Sequence, residues 1–271
     1  MALNLYATRD AVKARAGLDD TGDDATLDGI LRDVSREIEL WTGRQFWAVT
    51  QTRLFTARHP CALLLGAADL LAVTTLKTDD DGDRVYETTW AATDYDLEPY
   101  DAPLRSPPVP YGEIRAAPNG RYSFPCVARG VEIIGRWGFM DVLDASTATL
   151  AEDLDASETT VDVSDAAAFA AGQVIEIDGE RMEISAATVN DAPIADTLTV
   201  ERGINGTTAA AHTSGAAIRV AAFPGVAEAA IQQVSLLFRG VHAPLGVQGA
   251  PEYGQTIRGT GLHPFVKAKL Q

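Results

Sequence analysis

The chain has 271 residues, 46% hydrophobic and 22% charged, enough to bury one large core or two modest ones. Its formal net charge of −16 argues against broad binding to a phosphate backbone, which needs clustered lysine and arginine. There is no apolar run long enough to span a bilayer and no basic-then-apolar leader, and Cys61 and Cys126 form neither a disulfide framework nor a CxxC pair. A protein made in the cytoplasm, with two buried free thiols, is expected.

In chain order, residues 8–16 read as a short helix with Thr8 as N-cap and Gly17 as its stop. A polar turn, LDDTGDDA, leads into the strongest helical pattern of the chain. There Leu27, Ile30, Leu31, Val34, Ile38 and Trp41 recur at three- and four-residue steps, with Asp28, Arg32, Asp33, Arg36 and Glu37 on the other face. Gly43 ends the helix and delivers the chain into the strand AVTQTRLFTA, so that Trp41, Phe46 and Phe55 are expected to pack in one corner of the core. From there to about residue 140 the texture is β. ALLL and LAVTTLKT read as short strands, DDDGD at 79–83 as a hairpin tip, and RVYETTW as the returning strand. PYDAPLRSPPVPYG is too rich in proline for a sheet interior, and RGVEIIGRWGF at 129–139 reads as a buried strand.

Residues 148–220 differ in character. They hold thirteen acids against Arg181, Arg202 and Arg219, and so carry ten of the sixteen net negative charges. Alternation in TTVDVSD, GQVIEIDGERMEISA and TLTVERG, with a turn at Asp178-Gly179, predicts a small acidic all-β domain. Helical spacing returns after Pro224, with Ala230, Val234, Leu237 and Phe238 on one side and Gly240 as the end. Residues 241–271 hold five glycines and no periodicity, and read as a flexible arm with a net charge of +2 from Arg258, Lys267 and Lys269 against Glu252.

No catalytic motif is present. GxSxG, GxxxxGK[ST] and a post-strand GxGxxG are all missing, and His59, His212, His242 and His263 lie in loops, where each reads as a surface side chain. His59 and Cys61 lack a second pair of zinc ligands. Asp79, Asp81 and Asp83 begin a calcium-like spacing whose twelfth position is Trp90 rather than a bidentate glutamate, which favours a solvated hairpin tip. The carboxylates of the acidic domain show no apolar setting that would raise a pKa. A protein that is not an enzyme, with no cofactor and no metal, is expected.

The order of these segments carries a resemblance. A helix ending IELWTGRQF, the strand TQTRLF, a hairpin around DDDGD, then DYDLEPYDAP, FPCVARGVEIIGRWGF and a final helix together resemble the head–tail adaptor (head-completion) proteins of long-tailed bacteriophages and gene transfer agents. The resemblance covers residues 1–143 and 221–240. It departs from the family where residues 144–220 are inserted, although TVERGINGTTAAAHTSGAAI looks like a β domain recurring in phage structural proteins.

The fold class expected is α+β: a helical body of two N-terminal helices and one C-terminal helix, with strands and hairpins. Residues 1–147 and 221–240 are to form the adaptor core, 148–220 an inserted all-β domain, and 241–271 an arm. The resemblance implies a virion location in the neck after assembly in the host cytoplasm. It also implies a ring, typically a dodecamer, under the portal protein, a stopper or tail terminator as the next neighbour, and DNA passing through without specific binding. Arg32, Arg36 and Arg44 opposite Asp28, Asp33 and Glu37 are candidate ring contacts. Arg258, Phe265, Val266, Lys267, Lys269 and Leu270 are candidate portal-binding residues of the arm. The alternative is another neck or tail component, or a surface-binding protein that uses the acidic domain.

Overall fold

The computed structural model describes residues 2–105, 108–118, 120–191, 194–241 and 261–270. These divide into two compact units, one of residues 1–42 with 142–271 and one of residues 43–141. The expected helical body does not form. Among the described residues thirteen strands in three antiparallel sheets stand against four α-helices, so the protein is mainly β. Strands of three or four residues carry too few positions to show a period, whereas a nineteen-residue helix shows one at once, so the helices stand out in the sequence beyond their share of the fold.

The first unit opens with α1 (Arg9–Ala16) and α2 (Asp24–Thr42). Thr8 caps α1 by accepting from the Ala11 amide at 3.2 Å, and Gly17 ends it at φ +70°, a conformation open to glycine at little cost. Helix α2 buries Leu27, Leu31, Val34 and Ile38 on one stripe. The expected burial of Trp41 is corrected: it is 37% exposed and closes a helix of the first unit, while Phe46 and Phe55 belong to the second.

The second unit begins beyond Gly43, which takes φ +65°. Strands β1 (Val49–Phe55), β2 (Ala62–Leu64), β3 (Leu70–Thr78), β4 (Thr88–Trp90), β5 (Tyr95–Glu98), β6 (Glu113–Ala116) and β7 (Val131–Trp137) form two sheets, ordered β1-β7-β3-β4 and β2-β6-β5. β1 and β7 pair over seven residues without a register shift. The alternation of β7 buries Val131, Ile133, Gly135 and Trp137. Val131, Ile133 and Trp137 join Leu63, Leu70, Leu76, Trp90, Ile114 and Phe124 in one core, where Trp90 and Phe124 stack with centroids 4.6 Å apart.

The chain then returns to the first unit. β8 (Val142–Thr149), β9 (Thr160–Val163), β10 (Val174–Ile177), β11 (Glu180–Thr188), β12 (Asp196–Glu201) and β13 (Ala217–Ala222) follow the order β8-β13-β10-β11-β12-β9. The two edges meet: Leu150 bridges Val163, Ser164 N donates to Thr149 O at 3.0 Å and Ala151 N to Asp162 O at 2.8 Å. This closes the sheet into a small barrel and removes the exposed edges an open sheet would carry. Its interior is filled by Leu150, Leu154, Val161, Val163, Phe169, Ile175, Ile177, Met182, Ile184, Leu198 and Val200 with smaller neighbours. Asp178 and Gly179 make the β10–β11 turn at φ +48° and +88°, as the Asp-Gly pair predicts. The barrel starts at Val142 and ends at Ala222, outside the expected limits of 148 and 220.

Helix α3 (Val226–Val241) packs against α1, α2 and α4 (Pro264–Lys269). Residues 3–6 strap the helices to the barrel. Leu3 N donates to Glu183 Oε2 at 2.8 Å, Asn4 and Asn205 exchange amide hydrogen bonds at 2.8 and 3.0 Å, and Tyr6 N donates to Ser35 Oγ at 3.3 Å. The helices therefore share a unit with the barrel, and the core expected to combine 1–147 with 221–240 is distributed over both units.

Candidate functional site

Three stretches of the resemblance, residues 43–46, 50–55 and 135–139, meet in the second unit around Asp69. Asp69 sits between β2 and β3 in the left-handed region at φ +48°, its side chain buried. Arg44, just past α2, donates to Asp69 Oδ1 at 2.5 Å, and its guanidinium lies 4.9 Å from the Phe139 ring centroid. Arg53 of β1 lies 4.5 Å from the Trp137 ring centroid and donates to Ala68 O at 2.7 Å. The Trp137 indole in turn donates to Gln51 O at 2.9 Å, and the ring stacks on Phe55 at 5.5 Å. Phe46 is buried edge-on against Phe139 at 5.4 Å. Burial pushes the Asp69 carboxyl up, against the pull of Arg44 and Arg53, and burial lowers the Arg53 guanidinium.

Both glycines of GRWGF are required here. A Cβ on Gly135 would lie 2.5 Å from Ala72 O, and one on Gly138 would lie 2.4 Å from Trp47 O. The corner is thus two arginines, each laid on one aromatic ring, with Arg44 bonded to the buried Asp69 carboxylate and Arg53 to the neighbouring Ala68 carbonyl. It fixes the β1–β7 pair and offers no nucleophile or proton relay.

The six candidate ring contacts do not form a set of mutual pairs. Asp28 accepts from Arg9 at 2.8 Å, Arg36 donates to Asn4 O at 3.0 Å and approaches Glu39 at 3.1 Å, and Arg44 belongs to Asp69. Arg32 and Asp33 are exposed, and Glu37 is half-buried. Three of the six are therefore engaged within their own chain.

The arm also needs correction. Its residues 261–270 are folded, not loose: α4 is capped by His263, Val266 is buried, His263 N donates to Gln233 Oε1 at 3.0 Å, and Lys269 lies 3.9 Å from Glu228. An apolar residue in a glycine-rich tail looks like an anchor for a partner, but Val266 anchors the tail to α3. Phe265 is 74% exposed and Leu270 half-buried, while Arg258 lies outside the described residues.

A second cluster lies in the barrel and matches no motif in the sequence. Glu180 accepts from Arg202 Nε and Nη2 at 2.7 and 2.8 Å, from the amides of Ala210 and Gly203 at 2.9 and 3.1 Å, and contacts His212 Nε2 at 2.9 Å. Arg202 further donates to the carbonyls of Asp155, Glu158 and Ala210. His212 Nδ1 reaches Asp178 Oδ2 at 3.1 Å. Burial raises the Glu180 carboxyl, but Arg202, the Ala210 amide and His212 outweigh it and hold the pKa at about 2. His212 is thus buried rather than a surface residue, and the network ties residues 202–212 to the barrel wall. The sequence reading also missed Glu183, whose carboxyl burial pushes up. The one available hint was Glu180 directly after an Asp-Gly turn with Arg202 just past the neighbouring strand β12, a pairing visible only once the register is known.

Elsewhere, Asp79, Asp81, Asp83 and Glu87 have carboxylate oxygens within 4.8 Å of one another at the β3–β4 loop. Asp79 there accepts from the amides of Gly82 and Arg84 at 2.7 and 3.0 Å. Cys61 and Cys126 are exposed, which corrects the expectation of buried thiols; both lie in loops outside the sheets. His59 Nδ1 accepts from Cys61 N at 3.1 Å, and His242 lies outside the described residues. Among the described residues no helix is long and apolar enough to cross a membrane. Compared with known proteins, the chain matches no family, no curated sequence and no solved structure.

Proposed function

We propose that this chain is a structural subunit of a virus particle, a head–tail adaptor of the neck. Several copies, twelve on the portal, form a ring that extends the DNA channel and receives a stopper or tail terminator. The observation that carries the reading is the arginine corner: GRQF, TQTRLF and GRWGF, three stretches of the resemblance, gather around Asp69 and Ala68, with two glycines set against backbone at contact distance. Such a corner makes a stiff frame, which suits a subunit that must hold its shape while DNA passes. The buried charged groups serve structural bonds, consistent with assembly rather than catalysis. The acidic barrel suits a channel along which DNA slides without adhering.

The test is the mass of the purified protein alone and mixed with its portal ring. A complete ring of 28.8 kDa subunits on the portal is expected; a protein that ignores the portal at every concentration rules the adaptor reading out. A stopper or tail terminator is the second reading, favoured by the predominance of strands, and binding to the tail tube in place of the portal would select it.

A further inference from the structure

We propose that a second copy of this chain docks its β3–β4 loop into the groove between α3 and α4, so that copies join head to tail. The inference rests on the ring reading above and moves the contact away from the charged face of α2. The groove is a cavity of about 290 Å³ in the first unit, lined by Arg15, Leu236, Arg239, His263 and Phe265 among others. Its surroundings are unusual for a chain of net charge −16. Arg15 and Arg239 flank it and Lys267 and Lys269 follow on α4. Among the described residues on these helices the acid facing them is Glu228, which Arg15 and Lys269 approach at 3.2 and 3.9 Å. Phe265 stands in this positive field with three-quarters of its surface exposed. An occupant must therefore bring negative charge around one apolar side chain.

The β3–β4 loop of the second unit has that composition. Asp80, Asp81, Asp83 and Glu87 are exposed, and Val85 projects among them, 56% exposed. Its cation, Arg84, is turned back to donate to Ala128 O at 2.5 Å. The loop is also held in shape before any contact. Asp79 is fully buried with its carboxylate on two loop amides, Val85 N donates to Asp83 Oδ1 at 2.7 Å, and Tyr86 Oη donates to Arg129 O at 2.9 Å. A preformed loop loses little conformational freedom on docking. Because the two surfaces differ, the contact is heterologous, and repetition of it generates a closed ring or an open filament. One such contact is small, so each joint is weak alone and gains from many copies held on one template.

The experiment is sedimentation velocity at low salt on the full chain, with circular dichroism to confirm that each variant folds. The wild type should show a weight-average mass that rises above 28.8 kDa with concentration. Arg239→Glu, Phe265→Ser and Asp81→Lys should each weaken association by about tenfold or more. An equal mixture of Arg239→Glu chains and Asp81→Lys chains should recover it, because the swapped charges meet. Variants that associate like the wild type, or a mixture that does not recover, overturn this contact and leave the ring reading intact. Association insensitive to these changes but lost on altering Arg32 and Asp33 returns the contact to α2 and likewise overturns it. A wild type that stays monomeric to about 1 mM, where even weak contacts register, also overturns it; the ring reading then stands or falls on the portal experiment.

Discussion

Replacing Glu180 with alanine removes the acceptor on which residues 202–212 close against the barrel. The carboxylate takes two bonds from Arg202, two from backbone amides and one contact from His212, and its side chain is 1% exposed. After the substitution the Arg202 guanidinium, itself 6% exposed, keeps only its carbonyl partners, and two amides lose their acceptor. Removing one partner of a buried pair costs about 3–5 kcal/mol, because the surviving charge stays desolvated. For a unit of this size each kcal/mol is worth roughly 2–4 °C in Tm, so a fall of about 6–20 °C is expected by differential scanning calorimetry at pH 7.

The pH dependence gives a second, independent arm. With the folded pKa depressed from 4.5 to about 2, the carboxylate contributes stability that is complete above pH 4.5 and withdrawn as pH falls toward 2. The gap between wild type and Glu180→Ala should therefore narrow across that window. A Tm change below about 2 °C at pH 7, or a gap that stays constant down to pH 2.5, refutes the assignment of the network as the barrel's main polar tie.

Two further changes probe the same reasoning elsewhere. Gly135→Ala places a methyl 2.5 Å from Ala72 O in the centre of the β1-β7-β3 sheet. It should cost about 1–3 kcal/mol in urea unfolding, and a neutral result shows that the sheet spreads freely there. Glu183→Gln keeps an acceptor for the Leu3 amide but removes a charge whose pKa burial has raised. The ionised form is the penalised one, so the substitution should stabilise at pH 7 and make no difference below pH 4.5, where both side chains are neutral. Destabilisation at both pH values shows that Glu183 acts through its hydrogen bond alone.

Local signals were legible wherever one residue type had one use. Thr8 and Gly17 bound α1, Gly43 closes α2, Asp178-Gly179 turns β10 into β11, and the two-residue rhythm of residues 131–137 is a strand. Each is set by the conformational freedom of a few neighbouring residues, so the sequence alone determines it. The strands β5, β6 and β8 were not legible, because four to eight residues of mixed exposure carry no period.

What the tertiary structure alone decided is which residues face one another. Arg44 reads as a ring contact until the fold sets it on Asp69, Arg53 carries no local signal until β1 and β7 pair and lay it over Trp137, and His212 reads as a loop residue until the barrel closes and leaves it beside Glu180. Val266 reads as a free anchor until α4 turns it onto α3. In every case the group leaves water and is held by partners that lie tens of residues away along the chain. That is a property of register and packing, and it leaves no local mark on the chain.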